Sequence, residues 1–229
     1  MKMPDNKAYV LLSGGQDSFV CLLWSMEKFN TTEAISIAYN QSHKIEIEYA
    51  KRIAHHFGIE HSIYDIGDFF STISASSLLA SGNHNVGHVN APGLPASFIP
   101  NRNGIFLTIA ASHAFRKNEK VINIVTGACE TDYSGYPDCR LDYMKAKARE
   151  LSLGTDCHVE ILTPLMLLNK AQIFGLADKA GKLKELRELT MTCYDGVEKM
   201  NEWGRGCGEC PACKLRRKGY EEYTGKTNS

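Results

Sequence analysis

Six residues near the start of the chain, Ser13-Gly14-Gly15-Gln16-Asp17-Ser18, have the types and spacing of an anion site. Two adjacent glycines let a backbone approach an oxyanion closely. An apolar run at 8–12 precedes them and reads as a buried strand. An amphipathic stretch at 19–29 follows and reads as a helix. The start of a helix offers free N–H groups and the positive end of its dipole. Ser13 and Ser18 add hydroxyl donors. Asp17 is the odd member, because a carboxylate repels a phosphate. It makes sense if it holds Mg²⁺, which bridges phosphate oxygens. No lysine follows the glycines, so this is not the G-x-x-x-x-G-K-[ST] loop. The simpler alternative is an ordinary glycine turn, which needs no ligand.

A second cluster lies near the other end. Cys193 is followed by Cys207, Cys210 and Cys213. Four thiolates satisfy the tetrahedral preference of Zn²⁺. The Cys-x-x-Cys spacing lets a tight turn aim two sulfurs at one ion. Four cysteine ligands leave no open position, so one structural zinc per chain is expected. Two disulfides or a redox pair are the alternatives, and a reducing compartment disfavours both. The remaining cysteines, Cys21, Cys129, Cys139 and Cys157, are scattered and read as small core or surface thiols. A third stretch, 127–140, places Glu130, Asp132, Asp138, Arg140, Tyr133 and Tyr136 after a strand end. A ligand is expected there. A polar turn before a helix, with Asp138 as a cap, would look much the same.

These groups need a scaffold, and the chain alternates strands with helices. Strands are expected at 8–12, 33–39, 61–66, 121–126 and 159–162. Helices are expected at 19–29, 43–57, 103–115, 142–153 and 169–180. Gly58 stops the second helix. The order predicts a Rossmann-like α/β fold, a parallel sheet with helices on both faces. Ligands in such sheets bind beyond the carboxyl ends of the strands. The loop at 81–100 has the length and glycine, asparagine and proline content of a lid or substrate loop. The tail after Tyr220 is polar and is expected to fray. Residues 1–186 read as the main domain and 187–229 as a small cysteine-bearing subdomain.

Composition narrows the classes. Lys+Arg and Asp+Glu both number 26, so no basic excess argues for nucleic-acid binding. No apolar run approaches a membrane span. The N-terminus leads into the first strand without a secretory h-region, and a cytoplasmic location is expected. A homodimer stays an open option.

The phosphate loop resembles the S-G-G-x-D-S loop of the pyrophosphate-loop ATPases, which cleave ATP between its α and β phosphates. Together with Glu-Thr-Asp-Tyr-Ser-Gly-Tyr-Pro-Asp-Cys-Arg at 130–140 and the four late cysteines, it resembles the 7-cyano-7-deazaguanine synthase (QueC) family of the queuosine pathway. Pro100-Asn101-Arg102-Asn103 with Phe106-Leu107 is similar to that family's P-G-R-N-x-x-F-L segment. Thr163-Pro164-Leu165 with Lys170 is similar to its T-P-L…K segment, and Thr192-Cys193-Tyr194 to its T-C-Y. Asn101 stands where the family usually has glycine, and Ser42 where it usually has arginine.

The resemblance implies conversion of 7-carboxy-7-deazaguanine and ammonia to the nitrile, with ATP consumed at two adenylation steps. It implies an ATP-binding segment of Leu12, Ser13, Gly14, Gly15, Gln16, Asp17, Ser18, Phe19, Val20, Cys21 and Leu22, with Asp17 holding Mg²⁺. Arg102 and Lys170 become candidates for stabilising phosphate charge, although Lys170 also reads as a solvated helix lysine. Asp132, Tyr136, Asp138 and Arg140 become candidates for binding the deazapurine. No stretch is left for a glutaminase domain, so free ammonia or a separate partner is expected to supply nitrogen. A tRNA-modifying sulfur transferase is the alternative. It shares the phosphate loop, and Cys129 or Cys139 would have to be reactive. A zinc-ribbon module without catalysis would leave the phosphate loop unexplained.

Overall fold

The polypeptide folds around β1 (Lys7–Leu11), whose side chains alternate between two cores. The structure is a computed structural model that describes residues 6–39, 45–73, 87–88, 91–95, 97–130 and 136–225. From β1 the chain passes through α1 (Gln16–Lys28), β2 (Thr31–Ala38), α2 (Ile45–His56), β3 (Glu60–Asp65) and α3 (Phe69–Ile73). A short antiparallel pair, β4 (Gly87–His88) and β5 (Ala91–Pro95), precedes α4 (Arg102–Arg116). Next come β6 (Val121–Val125), α5 (Leu141–Thr155), β7 (His158–Leu162), α6 (Lys170–Lys179) and α7 (Leu183–Leu189). The hairpin of β8 (Met200–Asn201) and β9 (Gly204–Arg205) and the helix α8 (Pro211–Thr224) complete it.

The main sheet is parallel, in the order β3-β2-β1-β6-β7. Successive side chains of a strand point to opposite faces. Ala8, Val10 and Leu12 therefore meet α1, α2, α6 and α7 on one side. Tyr9 and Leu11 meet α4 and α5 on the other. This is the expected sheet with helices on both faces. The chain lays β2 and β3 outward from β1, then returns to its other side with β6. The order thus reverses between β1 and β6, where an open α/β sheet leaves a ligand crevice.

Two expectations shift. The first helix starts at Gln16, not at 19, because Gly15 is extended (φ −81°, ψ 165°) and serves as its cap. Gln16, Asp17 and Ser18 are thereby its first turn. The chain after Tyr220 stays helical to Thr224, where Gly225 ends it at φ 70°. Tyr220 and Tyr223 pack their rings 5.3 and 6.1 Å from Phe174 of α6, which holds that end. In the cysteine-bearing segment, helix α8 packs along α6, and Cys193, Cys210, Cys213 and Trp203 share a cluster with Tyr49 of α2. Much of the 81–100 loop lies outside the described residues, and the part that does not contains β4 and β5. Cys21, Cys129 and Cys157 are buried and Cys139 half-buried, as small packed thiols.

At the end of the sheet away from the crevice, Glu33 of β2 is fully buried. Its carboxylate meets Lys7 at 2.9 Å, Lys117 at 2.8 Å and His113 Nε2 at 2.6 Å. Burial by itself pushes that carboxyl up, but the lysines outweigh it and hold it below its ordinary value. A depressed carboxyl stabilises the fold above the unfolded pKa, and the contribution is lost as pH falls through the folded one. Glu33→Gln should cost about 2 kcal/mol at neutral pH and flatten the loss of stability below about pH 4. Denaturant melts at neutral and acid pH read both effects. A variant as acid-sensitive as the parent would assign the acid loss to other groups.

Candidate functional site

The glycine loop turns from β1 into α1 at the crevice. Gly14 has φ +87°, a conformation that side chains disfavour. A Cβ there would lie 2.3 Å from the Glu46 carbonyl oxygen and 2.9 Å from the Ala50 nitrogen, so α2 occupies the space of the missing side chain. The two serines wire the loop internally. Ser18 Oγ donates to the Gly15 carbonyl at 2.9 Å and accepts from Ser13 Oγ at 3.1 Å and Ser13 N–H at 3.2 Å. Ser13 Oγ accepts the Gly15 N–H at 3.2 Å. The hydroxyls expected to face a ligand thus shape the loop. The first-turn amides of α1 are left without an intrahelical acceptor.

A cavity of about 380 Å³ opens at this point. It gathers Leu12, Ser13, Gly15, Gln16, Asp17, Ser18, Arg102, Tyr136 and Lys170 from the expected site residues. Lys170, at the capped start of α6, reaches Asp17 Oδ2 at 2.8 Å across 153 residues. It is therefore not a solvated helix lysine. Asp17 Oδ1 is buried and has no hydrogen-bond partner among the described residues, and the same holds for both polar atoms of the Gln16 amide. Buried polar atoms are normally paired, and these three are not. Gly127, after β6, closes the floor, since a Cβ on it would lie 3.0 Å from Asp17 Cβ.

The opposite wall is aromatic and basic. Arg102 Nη1 donates to Tyr39 Oη at 3.5 Å, and its guanidinium lies 5.9 Å from the Phe106 ring. Its Nε is buried and unpartnered among the described residues. Burial disfavours its charge, but Tyr39, Tyr136 and Asp138 more than offset that. Burial also raises the phenols of Tyr39 and Tyr194, which keeps both as neutral donors. Tyr136 stacks on Phe98 with ring centroids 6.1 Å apart and hydrogen-bonds Ser97.

Other expected residues take different places. Phe19, Val20, Cys21 and Leu22 point into the core beneath α1 and do not line the cavity. Asp138 is buried and accepts the Asn103 N–H at 2.9 Å, so it anchors the start of α4 and does not face the cavity. It is a cap, but for α4 and not for the helix that follows it. Arg140 is exposed and does not line the cavity either. Asp132 and Ser42 lie outside the described residues. Asn101 sits at φ 59°, a left-handed conformation that glycine and asparagine tolerate best. That accounts for asparagine in a glycine position. Tyr39, Phe106, Thr192, Tyr194 and Arg216 also line the cavity. Nothing in their own types singled them out as site residues.

Beside the cavity, Cys193, Cys207, Cys210 and Cys213 bring their sulfurs within 4.8 Å of one another. The 3.8 Å between Cys207 Sγ and Cys213 Sγ matches the edge of a tetrahedron with Zn–S bonds of about 2.3 Å. Backbone N–H groups of Glu209 and Cys210 point at Cys207 Sγ from 3.3 Å and partly offset the burial that pushes this thiol up. Gly206 makes room, since a Cβ on it would lie 2.5 Å from Cys213 Sγ. The donor set fits a metal.

A parallel sheet with a glycine-turn anion loop at its switch point defines an α/β fold of the pyrophosphate-loop ATPase type. A 4-thiouridine synthetase–RNA complex with bound ATP shares this fold, with a TM-score of 0.50 at 16% identity over 96% of this chain and 50% of that one. The family model described as "Queuosine biosynthesis protein QueC" matches residues 7–224. The 7-cyano-7-deazaguanine synthase of Wolinella succinogenes is 45% identical over 224 residues, covering 96% of this chain and 95% of that protein. That of Lysinibacillus sphaericus is 46% identical over 221 residues, covering 96% and 97%. The chain belongs to the QueC family.

The packing of the loop can be weighed with two glycines. Gly58 has φ +62° and open space around it, so Gly58→Ala should carry only the backbone cost, about 1 kcal/mol. Gly14→Ala should cost at least about 2 kcal/mol, because α2 must move as well. Chemical denaturation of the pair gives the difference. Equal costs would mean that α2 yields freely.

Proposed function

We propose that this chain is the ATP-dependent ligase that converts 7-carboxy-7-deazaguanine and ammonia to 7-cyano-7-deazaguanine in queuosine biosynthesis. Its carbon–nitrogen bond formation follows from membership of the QueC family and from the near-full-length likeness to two 7-cyano-7-deazaguanine synthases. The observation that carries the residue roles is the Asp17–Lys170 pair beside the phosphate loop, with an unpartnered Asp17 oxygen in the cavity.

A carboxylate is a poor electrophile. Transfer of AMP to its oxygen makes that oxygen part of a leaving group, and ammonia then forms the amide. A second adenylation, on the amide oxygen, permits its loss and leaves the nitrile. The first turn of α1 binds phosphate through its amides. Asp17 holds the Mg²⁺ that accompanies ATP and neutralises phosphate charge. Lys170 fixes Asp17 and adds positive charge at the phosphate being cleaved. Arg102, whose Nε has no hydrogen-bond partner among the described residues, would meet the anionic end of the second substrate, with Tyr136 of the same cavity beside the deazapurine. The cysteine cluster holds one structural zinc, and thiols that stay reduced suit the cytoplasm.

The sulfur-transferase reading is not favoured. Burial pushes the Cys139 thiol up to about 12, away from thiolate chemistry. Cys129 donates its S–H to the Leu168 carbonyl at 3.1 Å. Among the described residues, no helix is long and apolar enough to cross a membrane.

Nucleotide chromatography with mass analysis of the deazapurine tests the reaction. Acid should consume two ATP on its way to nitrile, isolated amide one, with AMP and pyrophosphate released each time. ADP as the main nucleotide product would overturn the role of the loop. Asp17→Asn should lower kcat about a hundredfold or more with the fold intact; a loss under about threefold would remove it from magnesium binding. Elemental analysis of protein purified without added metal should find about one zinc per chain. Cys210→Ser should lower metal content and melting temperature together. Well under half an equivalent of zinc in a folded parent would refute the metal assignment.

A further inference from the structure

Helix α8 begins at the cysteine cluster and ends against the helix that carries Lys170. Its inward stripe runs through Cys210 at the cap, then Cys213, Arg216, Gly219, Tyr220 and Tyr223, the three-to-four spacing of one helix face. Arg216 is the unusual member. It is 1% exposed, yet no carboxylate among the described residues pairs with it. A buried charge without partners is costly. Here the guanidinium fork is met by neutral oxygens. Nε donates to Trp203 O at 3.0 Å and Nη2 to Leu186 O at 3.0 Å. Nη1 donates to Thr192 Oγ1 at 3.1 Å and Thr190 O at 3.4 Å. Gly204, at φ +119°, leaves the room, since a Cβ there would lie 2.3 Å from Nη2.

The segment that Arg216 holds is the one that touches the phosphate loop. Met191, between the two threonines, donates its N–H to the Gly14 carbonyl at 2.9 Å. The Thr192 methyl lies 3.3 Å from where a Cβ on Gly15 would stand. One turn along α8, Gly219 admits the start of α6, since a Cβ on it would lie 2.2 Å from Lys170 Cβ. One face of α8 therefore rests on both walls of the loop: the strap at 190–192 and the base of Lys170.

We infer that Arg216 is a positioning residue for the nucleotide site, clamping the strap at 190–192 onto the phosphate loop, with Gly219 setting the distance from that loop to Lys170. Arg216 also lines the cavity, where the nearby Asp17 carboxylate favours its charge. The inference rests on the ATP reading above, and the test separates the two.

Arg216→Lys keeps the charge but loses the planar fork that reaches four acceptors. Gly219→Ala leaves Arg216 intact and pushes on Lys170. Arg217→Met is the control, since Arg217 is exposed and pairs with Glu221 at 2.7 Å. Steady-state kinetics and ATP titration calorimetry are run on the metal-loaded full chain, below the melting temperature of each variant. Arg216→Lys and Gly219→Ala should keep parental metal content and raise the KM for ATP about tenfold or more. The KM for the carboxylic acid should stay within about twofold, and Arg217→Met should match the parent. A merely structural role would lower melting temperature and leave these ratios alone. Folded Arg216→Lys with parental ATP affinity, or equal losses for both substrates, would overturn the proposal. If Arg216→Lys does not fold, Gly219→Ala decides by the same criterion. A parent chain that binds no ATP in the calorimeter would remove the nucleotide reading itself, and the proposal with it.

Discussion

The arrangement of this protein depends on there being no side chain at position 14. At φ +87°, Gly14 lets the loop turn sharply out of β1, and α2 fills the volume that a Cβ would need. Its carbonyl is tied to Met191 on the other side. The loop is thus gripped between the helix that follows β2 and a strap that arrives some 180 residues later in the chain. A larger residue would separate these layers, and the first-turn amides of α1 would lose their aim. Gly127 and Gly219 repeat the device at the floor and beside Lys170. Close approach of backbones, not flexibility, is what the glycines provide.

Charge is distributed by the same logic. The chain as a whole is neutral, with 26 basic and 26 acidic residues. The positive charge around the cavity is therefore local, carried by Lys170, Arg102 and Arg216 near one helix start. Each is managed differently. Lys170 pairs with Asp17, Arg102 lies among aromatic rings, and Arg216 is solvated by carbonyls. The distal end of the sheet shows the opposite solution, a buried carboxylate neutralised by two lysines. Direct pairing quiets a charge, and neutral hydrogen-bond acceptors leave it available.

The cysteine-bearing segment joins these two themes. It packs through Trp203, the clustered cysteines and Tyr220 against Tyr49 and Phe174. It is more than a stabilising clip, because Arg216 of its helix lines the cavity beside the glycine loop.

The phosphate loop, the cysteine set and the alternation that builds the parallel sheet were legible from residue order, because each is a short-range signal. Glycine pairs, Cys-x-x-Cys spacing and apolar periodicity act over a few residues. Helix starts were less legible. Gln16-Asp17-Ser18 is polar and reads as loop, but Gly15 caps it into the first turn of α1. Helix α8 was hidden because its stripe is built from cysteine, arginine, glycine and tyrosine instead of aliphatic residues. The roles of polar side chains were decided only by tertiary structure. Asp138 turns to a helix amide, Arg140 stays outside the cavity, and Arg216 is drawn into the interior. Lys170 finds Asp17 across 153 residues. Such meetings depend on crossovers and on which backbones can touch, and no local pattern encodes them.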